Sequence, residues 1–250
     1  MESSHEFFNP INLRGVKVWL SGAIPEPKGK PDQEDTLEVW KGSEAETGIL
    51  AFVQIFTALV FKYGGEVIHG CHPSLTPILL EQSRRFSKEA SEGQSPLHLF
   101  ASDFFSNDQS RKDWQRWRRL ASVEITEKTG LGDEHRDTSL EVLRTTMASK
   151  CSAFVAIGGK WWDDVPGRAG VPIEFEMAKQ KQVPCFVLGG FGGISSMYAK
   201  ENPSWFANLH NKLSNEDNQF LASNSSFNLV AGIIVSQLNQ AKDQLSAEAQ

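Results

Sequence analysis

Short apolar runs alternate with longer segments of helical period along most of this chain. The alternation is clearest over residues 138–193, where a helical pattern ends near Lys150, apolar runs follow at 153–157 and 185–188, and a second helix starts near Pro172 between them. Strands that alternate with helices are typical of a parallel sheet, and strands covered on both faces read as unbroken apolar runs. This stretch therefore predicts a strand, a crossover helix and a strand.

The same alternation continues towards the N-terminus. Apolar runs predict strands at residues 16–20, 66–69 and 97–101 and a short candidate strand at 121–126, and helical patterns fall at 47–63, 75–85, around Trp114 and Trp117, and at 227–246. We predict an α/β fold, a Rossmann-like three-layer sandwich with a mainly parallel sheet of about five strands. One domain is expected to span residues 1–250, with a polar N-terminal arm at 1–14 and a long loop at 26–46.

Composition and charge exclude several functional classes. The formal net charge of -6 argues against a dedicated nucleic-acid binder, and the one basic run, residues 111–119, is interpreted as a solvated helix face with two half-buried tryptophans. The three cysteines, Cys71, Cys151 and Cys185, have the spacing of neither a disulfide framework nor a zinc site. No signal peptide or apolar run long enough to span a bilayer is recognised, so we expect no membrane partner and a cytoplasmic location.

Small residues follow several of the predicted strands. The first strand leads into Ser21-Gly22-Ala23-Ile24, the second into Gly70-Cys71-His72-Pro73-Ser74, with Ser74 as the predicted N-cap of the next helix, and later strands into Gly158-Gly159-Lys160 and Gly189-Gly190. Such loops let backbone N–H groups approach a ligand closely, and together they predict an anion pocket at the carboxyl edge of the sheet. The candidate ligand-binding residues among them are Ser21, Gly22, Ala23, Gly70, His72, Ser74, Gly158, Gly159, Lys160 and Gly190.

Arg144 and two glutamates are the charged candidates for the site. Arg144 falls on a core-facing helical stripe with Leu140, Leu143 and Met147, where a guanidinium needs a carboxylate or a phosphate unless it reaches past the stripe to solvent. Glu174 and Glu176 lie in the first turns of the helix near Pro172, and either could simply stabilise the helix dipole. Glu174 is the stronger functional candidate because it flanks the apolar stripe beside the Gly158 loop.

The loop after Gly159 carries a second group of candidates. Trp161 and Trp162 could stack on a nucleobase or pack beneath the loop, and Asp163 and Asp164 could hold ribose hydroxyls or only solvate it. His69 and His72 have no third partner at metal-ligand spacing, so we predict no metal site and no cofactor.

These residues resemble the SLOG superfamily of nucleotide-handling proteins. In its LOG-type phosphoribohydrolases an Arg-x-x-Met segment precedes a strand that ends in a Gly-Gly loop, as Arg144-Thr-Thr-Met147 does here. The next LOG motif, Pro-Gly-Gly-x-Gly-Thr-x-x-Glu, is replaced by Ile157-Gly158-Gly159-Lys160 and a longer loop before Glu174.

Two further groups are similar to the segment Gly170-Val-Pro-Ile-Glu174-Phe-Glu176-Met-Ala178. One is the sirtuin- and TIR-associated SLOG domain of bacterial antiphage defence, whose members bind ADP-ribose-type signals. The other is the nucleoside 2-deoxyribosyltransferase group, in which a glutamate at the place of Glu174 is the nucleophile. The resemblance implies a Rossmann-like homo-oligomer that handles a nucleotide or a molecule derived from one.

Three functions follow as hypotheses. In the first, the chain binds a nucleotide-derived signal, with Glu176 and the strand-end loops among the ligand contacts, and passes the bound state to an effector protein. In the second it is an N-glycosidase or (deoxy)ribosyltransferase in which Glu174 is the nucleophile, Arg144 orients a phosphate, and Asp163 or Asp164 protonates the leaving base. In the third it is a scaffold with a vestigial pocket.

Overall fold

The computed structural model describes residues 10–25, 44–86, 95–160, 170–201, 206 and 208–248. Six strands lie in these ranges: β1 Lys17–Ala23, β2 Glu66–His69, β3 Leu97–Ser102, β4 Ser122–Thr126, β5 Ala153–Gly158 and β6 Cys185–Leu188. The eight α-helices of the same ranges are α1 Glu44–Lys62, α2 Thr76–Phe86, α3 Asp108–Trp117, α4 Arg136–Lys150, α5 Gly170–Gln180, α6 Gly193–Glu201, α7 Asn215–Ser223 and α8 Phe227–Glu248.

All six strands form one parallel sheet in the order β4-β3-β2-β1-β5-β6. The predicted α/β, Rossmann-like class is therefore confirmed, with six strands where about five were expected. The additional strand is β4, an edge strand whose sequence SVEIT is less apolar because it is only partly covered.

Side chains from alternate positions of the strands enter two cores. Val18 and Leu20 of β1 pack with α1, α2 and α8 on one face of the sheet, and Trp19 packs with α4 and α5 on the other. Trp19 meets Phe154 of β5 edge-to-face, with ring centroids 5.2 Å apart. Three layers result, and the period of two along the central strands is what assigns each side chain to its core.

α1 departs from the expectation that no segment is apolar enough to span a bilayer. Of the helices in the described ranges it is the one that passes by length and composition, over Ala45–Lys62 with a mean hydropathy of 1.5. Its Phe52, Val53 and Phe56 side chains are nevertheless fully buried in the first core, where Phe52 stacks on Phe56 with centroids 5.2 Å apart. α1 is therefore a core helix of the sandwich.

The polar segments of the sequence have different places in the structure. Residues 10–14 of the predicted arm are anchored, because Leu13 is fully buried and the Asn12 N–H donates to Asn239 Oδ1 of α8 at 2.8 Å. The predicted loop 26–46 lies outside the described residues except for 44–46, which begin α1. The Ser- and Asn-rich stretch before α8 forms α7, whose N-cap Ser214 accepts a hydrogen bond from the Asp217 N–H.

Candidate functional site

The strand order reverses between β1 and β5. The chain builds the sheet outward from β1 to β4 and then returns to pair β5 with the other side of β1. In open α/β sheets, ligands bind beyond the carboxyl ends of the strands at such a reversal. A cavity of about 640 Å³ lies there, over the ends of β1, β2 and β3, with residues of α3 on one side and of α4 and α5 on the other.

Arg144 and Glu174 form an ion pair in the wall of this cavity. Arg144 Nε lies 3.4 Å from Glu174 Oε1, and Ser21 Oγ donates a 2.6 Å hydrogen bond to Glu174 Oε2. The side chains of Arg144 and Glu174 are only 11% and 18% exposed. The guanidinium on the core-facing stripe of α4 thus has the carboxylate that its burial requires, and β1, α4 and α5 each supply one member of the cluster.

Burial raises the pKa of the Glu174 carboxyl above its ordinary value, while the charge of Arg144 and the hydrogen bond from Ser21 oppose part of that rise. The folded protein therefore holds a proton on this group at pH values where the unfolded chain has released it. Under linkage, the free energy of unfolding then falls as the pH rises from the unfolded pKa to the folded one.

We expect this dependence to disappear in Glu174→Gln, which cannot ionise. Relative to that variant, the parent should gain stability as the pH falls from the raised folded-state pKa towards the ordinary glutamate pKa of 4.5. Urea unfolding of both proteins at a series of pH values measures the difference. A difference that stays constant across the series would contradict the raised pKa.

Gly158 and Gly159 end β5 in a left-handed backbone, with φ of +61° and +91°. A Cβ at Gly158 would lie 2.4 Å from the Ala23 carbonyl oxygen, so both space and conformation require glycine there. The Gly159 N–H donates to the Ala23 carbonyl at 2.8 Å, and the Ile24 N–H donates to Ser74 Oγ at 3.1 Å. These two amides bond within the protein, contrary to the prediction of a pocket lined by free amide groups.

The end of β2 is held by its histidines. His69 is buried, its Nδ1–H donates to the Leu20 carbonyl at 2.9 Å, and its Nε2 accepts the His72 N–H at 3.2 Å. Both ring nitrogens are thus used by a neutral imidazole, and burial lowers the pKa of His69 below its ordinary value. Ser74 is not a helix N-cap as predicted, because its Oγ bonds the Ile24 N–H and the His72 ring at 2.8 Å and α2 starts at Thr76.

A thiol also faces the cavity, at Cys71. Its backbone is left-handed, with φ of +57°, which is uncommon outside glycine and asparagine. Burial raises the pKa of the Cys71 thiol to about 12, so it stays protonated and unreactive at neutral pH.

Comparison with known proteins identifies the family. The family model for SLOG cluster2 matches residues 54–242, which are 189 of the 250 residues. The chain belongs to the SLOG cluster2 family. Its SLOG region contains α4 and α5, and with them Arg144 and Glu174, whereas β1 with Ser21 precedes the matched range. Membership of the SLOG family indicates nucleotide-related binding or a glycosidase-like function.

Other comparisons add little to the SLOG assignment. The X-ray structure of TM1055, a structural genomics target, is similar with 16% sequence identity and a TM-score of 0.42, over 74% of this chain and 81% of that one. A search of curated proteins finds no significant match.

Most of the predicted site residues line the cavity over β1, β2 and β3. Gly158 and Ser74 do not line it, Gly190 lines a separate cavity beside α6 and α7, and Glu176 is exposed on α5 outside both. Trp161, Trp162, Asp163 and Asp164 lie outside the described residues. The predicted residues that line the cavity are Ser21, Gly22, Ala23, Gly70, His72, Arg144, Gly159, Lys160 and Glu174.

Several residues that line the SLOG cavity were not predicted. They come from the turn after β3, from α3 and from the start of α4, and include Phe105, Asp113, Trp114, Trp117 and Arg136. The two tryptophans were visible in the sequence, but the basic residues around them favoured a solvated helix face. Arg111, Lys112 and Arg116 are indeed exposed, so one face of α3 meets solvent while the other meets the cavity.

The described residues of the chain do not form a metal centre. Among the described residues, no group of three or more His, Cys, Asp or Glu side chains is placed to hold a metal ion. All three cysteines are free thiols.

Proposed function

We propose that the chain binds a nucleotide or a nucleotide-derived molecule of the ADP-ribose type in the cavity over β1, β2 and β3. The observation that carries the proposal is the buried Arg144 in the cavity wall, because a guanidinium in that setting is a strong and specific partner for phosphate. Glu174 pairs with Arg144 through Nε and positions the guanidinium in the wall.

The start of α5 supports a phosphate at the same point. Gly170 and Val171, the first two residues of the helix, line the cavity, where helix N-termini favour anions. A Cβ at Gly170 would lie 3.2 Å from Arg144 Nη2, so glycine lets the guanidinium lie against the helix start. Arg136 and Lys160 add two more cationic side chains to the lining.

The size of the cavity also supports the proposal. About 640 Å³ is within the range of roughly 300–1,000 Å³ that is typical of small-molecule sites. Three cationic side chains and the two carboxylates of Asp113 and Glu174 line the cavity, so the lining is positive on balance in a chain of net charge -6.

A second candidate function is cleavage or transfer at the base–sugar bond. The observation that favours it is the carboxylate of Glu174, which lines the cavity and is oriented by Arg144 and Ser21. In its ionised form, which the charge of Arg144 favours, an oxygen of Glu174 would bond to the anomeric carbon as the bond to the base breaks, and water or a second base would release the sugar. The leaving base would take a proton from Asp163 or Asp164.

The cellular setting of this function is also a proposal. We infer from the SLOG resemblance that the protein works in the cytoplasm as a homo-oligomer, in bacterial antiphage defence, and that an effector protein reads the bound state. Three free thiols are compatible with a reducing compartment.

A ligand panel tests the two functions together. The purified protein and Glu174→Gln are incubated with NAD, ADP-ribose, AMP and ATP, melting temperatures are recorded, and free base is followed by liquid chromatography. A ligand that binds the folded state should raise the melting temperature of both proteins. Base release by the parent that is lost in Glu174→Gln would establish the reaction, and binding without release would establish the sensor.

The same panel can reject both candidates. If none of the compounds raises the melting temperature or is cleaved, the pocket is vestigial. If Glu174→Gln releases base as fast as the parent, the role of Glu174 as nucleophile is wrong.

A further inference from the structure

The end of the cavity beneath α3 is chemically different from the end at Arg144. Phe105 follows β3, and Asp113, Trp114 and Trp117 lie on α3, and all four line the cavity. The carboxyl ends of β1 and β3 are two strand spacings apart, or about 10 Å. The end of β1, which carries Ser21, and the end of β3, which leads to Phe105, are therefore separated along the sheet edge by roughly the extent of a nucleoside.

Local hydrogen bonds hold this aromatic end in place. Ser102 Oγ accepts the Phe104 N–H, and Phe104 meets Phe105 edge-to-face with centroids 5.1 Å apart. Asn107 and Ser110 form a capping box that starts α3, with bonds of 2.8 and 2.7 Å. The ring of Phe105 and the first turns of α3 are thus positioned before any ligand arrives.

The aromatic rings differ in exposure. Trp114 is buried and Trp117 packs partly against the first core, whereas Phe105 is 44% exposed although it lies at the cavity. A large exposed ring beside two indoles offers apolar surface that a flat heterocycle can cover. Stacking of a base on an aromatic side chain contributes about 1–3 kcal/mol.

Asp113 supplies the polar component of this end. Its carboxylate accepts hydrogen bonds from Gln109 Nε2 at 3.1 and 3.2 Å and pairs with Arg116, two side chains that lie on the exposed face of α3. An ionised carboxylate has about four acceptor sites and no donor, so it can accept further hydrogen bonds. Facing a base, it would favour an exocyclic amino group and disfavour a carbonyl oxygen.

We propose that the base of the ligand lies between Phe105 and the indoles of α3, and that Asp113 selects bases that carry an exocyclic amino group. This inference rests on the proposed nucleotide binding and adds the orientation of the ligand: phosphate towards Arg144, base towards α3. Asp113 then determines which base is bound, whereas Phe105 and Trp117 stack on any base and Arg144 binds any phosphate-bearing member of the class.

The test compares ligands that differ only at this group. AMP and IMP form one pair, and ADP-ribose and its hypoxanthine counterpart form the other, with affinities measured by calorimetry. The parent should bind the amino member of each pair at least about tenfold more tightly, as expected for one hydrogen bond to a charged group. Asp113→Asn, which can donate as well as accept, should reduce that preference to about twofold or less.

Arg116→Gln is the matched control. It removes the ion pair with Asp113 but leaves the carboxylate, and Arg116 itself is exposed and does not line the cavity, so the preference should persist. Phe105→Ala should weaken both members of a pair equally, because stacking does not distinguish them.

The outcomes separate this inference from the function on which it rests. Equal binding of both members by the parent, or an unchanged preference in Asp113→Asn, would overturn the base assignment while nucleotide binding stands. If neither pair binds at all, both the base assignment and the proposed nucleotide binding are overturned.

Discussion

Arg144→Ala is expected to lower the free energy of unfolding by about 3 kcal/mol and to weaken the binding of phosphate-bearing ligands at least about tenfold. Removal of the guanidinium leaves the Glu174 carboxylate mostly buried, with the Ser21 hydroxyl as its remaining hydrogen-bond donor among the residues that the structure describes. A buried charge without its counterion is strongly destabilising, and the carboxyl can escape the penalty only by taking up a proton.

The double variant Arg144→Ala/Glu174→Gln separates the two effects. Stability should recover substantially because no ionisable group remains at the pair, whereas binding should stay weak because the phosphate partner is still missing. Denaturant unfolding and calorimetry measure the two quantities. Arg111→Ala, at an exposed arginine of α3, is the matched control and should change neither by much.

Two results would contradict this account. If Arg144→Ala alone were as stable as the parent at neutral pH, the ion pair would not be the reason why the two residues lie together. If it bound AMP or ADP-ribose as tightly as the parent does, the phosphate would lie elsewhere.

Gly158→Ala is expected to destabilise the protein by about 3 kcal/mol or more. The left-handed backbone at Gly158 costs an alanine roughly 1–2 kcal/mol, and its Cβ would lie 2.4 Å from the Ala23 carbonyl oxygen and 2.8 Å from Ile49 Cδ1. Relief of that contact requires β1 and β5 to separate where they border the cavity, so ligand binding should be lost as well.

Gly232→Ala provides the control for this prediction. Gly232 lies within α8, a Cβ there would meet no atom within 4 Å, and alanine is the better helix former by about 1 kcal/mol. The control should be slightly more stable than the parent, as judged by its unfolding midpoint in urea. A Gly158→Ala protein with a midpoint equal to that of the parent would refute the steric argument.

The sequence predicted that Arg144 needs an anionic partner but not which residue supplies it. A guanidinium on a core-facing stripe needs an anion, and that requirement is local to α4 and readable from helical period. That the anion is the Glu174 carboxylate, 30 residues away and shared with Ser21 of β1, depends on how α4, α5 and β1 meet.

The aromatic end of the cavity was not predicted from the sequence. Around Trp114 the sequence favours a solvated helix, because basic residues occupy most positions of the segment. The helix has two faces, however, and only its docking after β3 turns Asp113, Trp114 and Trp117 towards the strand ends. Tertiary contacts also decide the role of Ser74. Its sequence position fits a helix N-cap, but its side chain forms hydrogen bonds with the Ile24 N–H and the His72 ring instead.

The pattern of apolar residues by itself predicted the strands, most of the helices and the parallel arrangement of the sheet. Each segment carries this pattern in its own sequence, because the pattern depends only on whether one or both faces of the segment are buried. The tertiary structure decided which strand ends meet, which amides are already bonded and which side chains share the cavity. Those facts depend on contacts between residues far apart in the chain, such as Ser21 with Glu174, and no local pattern encodes them.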